Sequence, residues 1–160
     1  MKNRVWQYSQ RLLISWIAIA FIVLLSSTSN AQAANLPTAT VYRDPNCTCC
    51  GGWIKHLQSQ GFKVKNVPTA DMIAFKQEHG VTDDLASCHT ALIDGYVVEG
   101  HVPSDDIKRL LVQKHDIKGI AVPGMPVGTP GMEMGNKKDS YAVVSFDKQG
   151  QTKVFKQYSF

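Results

Sequence analysis

Residues 38–43, Thr-Ala-Thr-Val-Tyr-Arg, are β-branched and aromatic and are stopped by Asp44-Pro45-Asn46, which predicts a strand followed by a turn. Trp53, Ile54 and Leu57 then fall at i, i+1 and i+4, the apolar stripe of a helix running from Gly51 or Gly52 to Gln60 and closed by Gly61. Residues 62–67 alternate apolar and polar as a half-buried strand does, and a second helix is expected from about Thr69 to His79, ended by Gly80. Residues 90–93 and 96–99 flank Asp94-Gly95, a dipeptide suited to a two-residue hairpin turn. A third helix is expected from Ser104, capped by its hydroxyl with Asp105 and Asp106 in the first turn, to about Lys114. Residues 141–146 and 152–158 read as a final hairpin.

The order β-α-β-α-β-β-α predicts a thioredoxin-like α/β fold, followed by a loop and a C-terminal hairpin. In such a fold the turn after the first strand and the loop before the third meet at one end of the sheet. The first carries Cys47, Cys49 and Cys50, and the second carries Cys88 and His89. Four thiols distant in sequence are thus expected to share one small volume.

Residues 1–33 hold Lys2, Arg4 and Arg11, then an uncharged apolar run from Leu12 to Leu25, then Ala31-Gln32-Ala33. That order is a secretory signal peptide, with cleavage expected after Ala33 and a single domain over residues 34–160. The apolar run falls short of the roughly 20 residues that span a bilayer, so no membrane attachment is expected after cleavage. Such a leader is expected to export the chain from the cytoplasm. The leader carries three of the 17 basic residues and none of the 13 acidic ones, which leaves 14 against 13 in the rest. No basic stripe then remains to bind nucleic acid.

Four cysteines in an exported chain would ordinarily be two structural disulfides. Cys-Thr-Cys-Cys argues against that, because adjacent Cys49 and Cys50 bridge only with strain; one bridge, such as Cys47 or Cys50 to Cys88, fits easily. Residues 122–134 form a Gly/Pro-rich loop holding Met125, Met132 and Met134, three of the five methionines. Thiolates select soft metals, and added thioethers favour Cu(I) over zinc. Crowded thiols suit several bridged copper ions better than one tetrahedral ion. His89 is a further candidate ligand, and His101, at the end of a strand, is a weaker one; His56, His79 and His115 are expected at the surface. Met72 is expected to fill core space. An alternative reading uses Cys47 and Cys50 as a Cys-x-x-Cys pair at a helix start, a thiol-disulfide oxidoreductase. Nothing in the sequence requires catalysis, and no hydrolase triad, phosphate loop or carboxylate pair is present.

Cys47-Thr48-Cys49-Cys50-Gly51-Gly52-Trp53, Ser87-Cys88-His89-Thr90-Ala91, residues 95–103 and Ala121-Val122-Pro123-Gly124-Met125-Pro126 resemble the CopG-type copper-resistance proteins, long filed as a domain of unknown function. The likeness extends over residues 39–134. It implies a periplasmic, thioredoxin-like, copper-binding protein acting beside other copper-resistance or efflux proteins, with Cys47, Cys49, Cys50 and Cys88 as the metal-binding thiols and the methionine loop as a soft-donor neighbour.

Overall fold

The structure is a computed structural model that describes residues 35–160, so the expected leader lies outside the described residues. It is a mixed α/β fold with strands β1 (Ala39–Arg43), β2 (Val64–Pro68), β3 (His89–Ile93), β4 (Tyr96–Glu99), β5 (Gly119–Ala121), β6 (Tyr141–Phe146) and β7 (Thr152–Tyr158). Three helices join them: α1 (Cys49–Ser59), α2 (Met72–Glu78) and α3 (Ser104–Gln113). One seven-stranded sheet runs in the order β2-β1-β3-β4-β5-β6-β7, parallel at β1/β2 and β4/β5 and antiparallel elsewhere.

The sheet is larger than the four strands and separate hairpin expected. Short β5 joins the two parts, pairing with β4 on one side and β6 on the other. Gly119 lets it lie flush, since a Cβ there would sit 2.0 Å from the Val97 carbonyl oxygen. Three residues, Gly-Ile-Ala, are too few to show alternation, which is why pattern alone missed this strand.

Successive side chains point to opposite faces of the sheet, and two cores follow from that alternation. Ala91, Ile93, Val98, Ile120 and Val143 join Trp53 and Leu57 of α1 and Ile107 and Leu110 of α3 on one face. Leu92, Val97, Ala121, Val144 and Phe146 meet Val81 and Leu85 on the other. The β3–β4 hairpin turns through Asp94 and Gly95, both at positive φ (50° and 83°), as a tight two-residue turn requires.

The N-termini of α2 and α3 are built differently from expectation. The second helix begins at Met72 rather than near Thr69, because the Asp71 side chain accepts from the Ala74 N–H at 2.9 Å and caps it. The third begins at Ser104 as expected, but Pro103 occupies the cap position and Ser104 makes no side-chain cap. Instead the Ser104 N–H donates to His56 Nε2 at 3.2 Å, so His56 is a half-buried tertiary cap and not a free surface residue.

The His56 cap is pH-sensitive. An imidazole accepts only when neutral, and burial, partly offset by the Glu133 and Asp105 carboxylates, lowers the His56 pKa from its ordinary 6.5. The folded state therefore binds this proton less well than the unfolded chain, so the contribution is present above pH 6.5 and lost as pH falls below it. His56→Ala is expected to lower stability by about 0.5–1 kcal/mol near pH 7.5 and by much less near pH 5. Urea midpoints of both proteins at the two pH values check this; equal losses at both would contradict it.

Candidate metal centre

The turn between β1 and α1 is organised by Arg43. Its guanidinium donates to the carbonyls of Asp44 (3.0 Å), Pro45 (3.1 Å) and Cys47 (3.5 Å) and to Asn66 Oδ1 (3.0 Å), holding residues 44–47 in a tight arc. The helix starts two or three residues earlier than its apolar stripe predicts. Cys49 and Cys50 consequently lie in the first turn of α1 instead of the loop before it, while Cys47 remains in the turn.

Cys88 comes from the end of the 81–88 segment, just before β3, and β3 pairs directly with β1. The two segments therefore meet at one end of the sheet. Cys49 Sγ lies 3.4 Å from Cys47 Sγ and 3.6 Å from Cys88 Sγ, and all four cysteine sulfurs fall within 4.8 Å of one another. Cys47 and Cys50 are joined as a disulfide, with Cys49 and Cys88 free. The pairing is within the cluster, and not from either of these residues to Cys88.

Cys88 also belongs to a second trio. Its Sγ is 3.1 Å from His101 Nε2 and 3.3 Å from His89 Nδ1, and the three donor atoms again lie within 4.8 Å. His101 Nδ1 faces the Pro130 carbonyl at 2.8 Å; a carbonyl only accepts, so Nδ1 carries the proton and Nε2 turns a bare lone pair toward Cys88. His89 is buried beside Trp53, ring centroids 4.4 Å apart, and its Nε2 has no hydrogen-bond partner among the described residues. Burial holds both imidazoles below their ordinary pKa and hence neutral. Burial, reinforced by Cys49, pushes the Cys88 thiol up to about 12. Cys88 is thus held as a thiol, whose proton a metal ion would have to displace in order to bind the sulfur.

Two solved structures of copper resistance protein CopG, forms 2 and 1, are each 50% identical to this chain over 78% of it and 99% of theirs, with TM-scores of 0.75 and 0.74. The family described as a protein of unknown function, DUF411, matches residues 85–132. No curated protein matches. The chain belongs to the CopG family.

Within this CopG-family chain, the 122–134 loop lies against the metal centre through its backbone. A Cβ on Gly131, at φ +84°, would meet the Trp53 nitrogen at 2.4 Å, and one on Gly52 would meet Gly131 Cα at 2.8 Å. These two glycines let the loop sit on the start of α1 and bring the Pro130 carbonyl to His101. Gly131→Ala is expected to push the loop off and free His101 Nδ1; the His101 imidazole NMR resonances would report it, and an unshifted spectrum would contradict it. Met125 and Met134 are exposed and Met132 is half-buried. Met72 is half-buried in the wall of a cavity of about 290 Å³ that Cys88 also lines, so it is not the core residue expected.

His101 enters the site more fully than its sequence position indicated, because Gly100 at φ +72° turns the chain back after β4. Gly131 and the Pro130 carbonyl carried no sequence signal, since each acts through backbone geometry, and nothing in the sequence marked the Arg43 guanidinium as the group that binds the carbonyls of the following turn. A further group, Lys76 with Glu99 and Thr90, lies buried beneath Cys88. No helix among the described residues is long and apolar enough to cross a membrane.

Proposed function

We propose that this CopG-family protein binds Cu(I) in the periplasm through Cys47, Cys49, Cys50 and Cys88, and so contributes to copper tolerance. The observation that carries the reading is the convergence of four sulfurs from two segments within 4.8 Å. So many soft donors in one volume match Cu(I) and serve several bridged ions better than one. Binding through all four requires an external dithiol reductant to give the Cys47–Cys50 disulfide two electrons and two protons, leaving two thiols here and a disulfide on the reductant; copper would then displace thiol protons.

His101 Nε2, with its lone pair aimed at the cluster, is the strongest nitrogen donor, and His89 the next. Met125, Met132 and Met134 act as weak, exchangeable thioether donors where copper arrives or leaves. The β2-β1-β3-β4 part of the sheet with α1, α2 and α3 is a thioredoxin-like core, to which β5, β6 and β7 are added. Partners are copper ions and other periplasmic copper-resistance or efflux proteins. The export reading rests on the leader in the sequence.

Anaerobic titration of the reduced protein with Cu(I) against a chromophoric competitor tests this. Tight uptake of more than one ion per chain is expected; strict one-to-one binding would remove the bridged version, and no uptake would remove the reading. Replacing the three loop methionines by leucine is expected to leave that stoichiometry intact and to speed copper loss to the competitor, and unchanged kinetics would exclude them as donors.

The Cys47–Cys50 disulfide favours one other reading, a thiol-disulfide oxidoreductase. Its redox pair would be Cys47 and Cys50, with Cys49 and Cys88 within reach of that disulfide as competing thiols.

A further inference from the structure

Lys76 and Glu99 form a buried ion pair, Nζ to Oε1 at 2.5 Å, whose side chains are 11% and 0% exposed. Glu99 is the opposite residue to Thr90 in the β3–β4 ladder, and its Oε2 accepts from Thr90 Oγ1 at 2.6 Å. Its Oε1 accepts from the backbone N–H of Ser87 at 2.6 Å, and Lys76 Nζ donates to Thr90 Oγ1 at 3.0 Å. One carboxylate thus holds the residues immediately before and after Cys88-His89. Thr90 and Glu99 project to the face shared with Leu92 and Val97, whereas His89, one residue away, packs on Trp53 at the other. The grip is applied from behind the metal centre.

Desolvating a lysine and a glutamate is expensive, and a well-packed apolar pair of similar volume is often as stable or more so. Stability therefore does not account for these residue types, whereas the hydrogen bonds to Ser87 and Thr90 require an acceptor at residue 99. The geometry points to Lys76 and Glu99 as positioning residues that fix the Cys88-His89 segment so that the Cys88 thiol faces Cys49 and His101. Glu99 supplies the acceptors, and Lys76 neutralises it and orients the carboxylate through Thr90. The Ser87 hydroxyl, which donates to the Gly124 carbonyl, ties the same segment to the start of the 122–134 loop. The inference rests on Cys88 being a copper ligand, but its first readout needs no copper.

Two double variants separate positioning from bulk stability. Lys76→Met with Glu99→Leu keeps the volume and removes the acceptor; Lys76→Met with Glu99→Gln keeps an acceptor for Ser87 and removes the charge. In the reduced, copper-free protein, the rate of Cys88 alkylation relative to Cys49 is expected to change about 10-fold or more in the leucine variant and to stay within about 2-fold of wild type in the glutamine variant. Cu(I) affinity is expected to fall about 10–100-fold in the leucine variant, at a melting temperature close to that of wild type, and to be restored in the glutamine variant. Wild-type alkylation ratio and affinity in the leucine variant would overturn the proposal, as would equal losses in both. Should the leucine variant not fold, Thr90→Val removes one of the bonds without stranding a charge, and an unchanged Cys88-to-Cys49 ratio there would overturn it equally. Absence of copper uptake by wild type would instead refute the copper reading, leaving the alkylation ratio to decide the positioning role.

Discussion

Replacing Cys88 by serine is expected to weaken Cu(I) binding at least about 100-fold, roughly 2.7 kcal/mol, while leaving the protein folded. Cys88 is the meeting point of the site: its sulfur lies 3.6 Å from Cys49 Sγ, 3.1 Å from His101 Nε2 and 3.3 Å from His89 Nδ1. Without it the α1 thiols lose the donor that arrives from β3, and both imidazoles lose the sulfur they face. Serine is nearly isosteric, and Cys88 is only half-buried, so the fold is expected to lose no more than about 1–2 kcal/mol. Cu(I) competition and a urea curve on the same preparation check both halves. Wild-type affinity in Cys88→Ser would mean that the Cys47–Cys50 segment binds alone.

The largest effect on stability is expected at Trp53. It is fully buried, packs on His89 at 4.4 Å and donates from Nε1 to the buried Val102 carbonyl at 2.9 Å. Trp53→Ala is expected to cost about 3–5 kcal/mol through lost burial and the cavity left behind. Against a typical domain stability of about 5–15 kcal/mol, that takes away a large part of the whole. Trp53→Phe keeps much of the apolar surface but strands the Val102 carbonyl, so about 1–3 kcal/mol of the loss should persist. Urea midpoints of the three proteins check the order; a Trp53→Ala loss below about 1 kcal/mol would mean that the site is not built on this side chain.

Much of this architecture was legible in the sequence where local pattern and tertiary structure agree. The β-branched run before Asp44-Pro45 is β1, Asp94-Gly95 turns the β3–β4 hairpin, and the final hairpin occupies residues 141–146 and 152–158 as expected. The meeting of Cys47, Cys49, Cys50 and Cys88 followed from strand order alone, because β1 and β3 are neighbours. What pattern missed depends on partners distant in the chain. The apolar stripe of α1 begins at Trp53, so nothing marked Cys49 and Cys50 as helical. Ser104 reads as a self-capping residue until His56, 48 positions away, is seen to supply the acceptor. Nothing in the sequence singled out Lys76, and only folding sets it against Glu99.

The central claim, that thiols from both segments bind copper together, is tested most directly by counting them. Reduced protein is loaded anaerobically with Cu(I), alkylated, and analysed by mass spectrometry for the modified cysteines. Protection of Cys47, Cys49, Cys50 and Cys88 in parallel as copper is added is the predicted result. Alkylation of Cys88 at the same rate with and without copper, while the other three are protected, would contradict it.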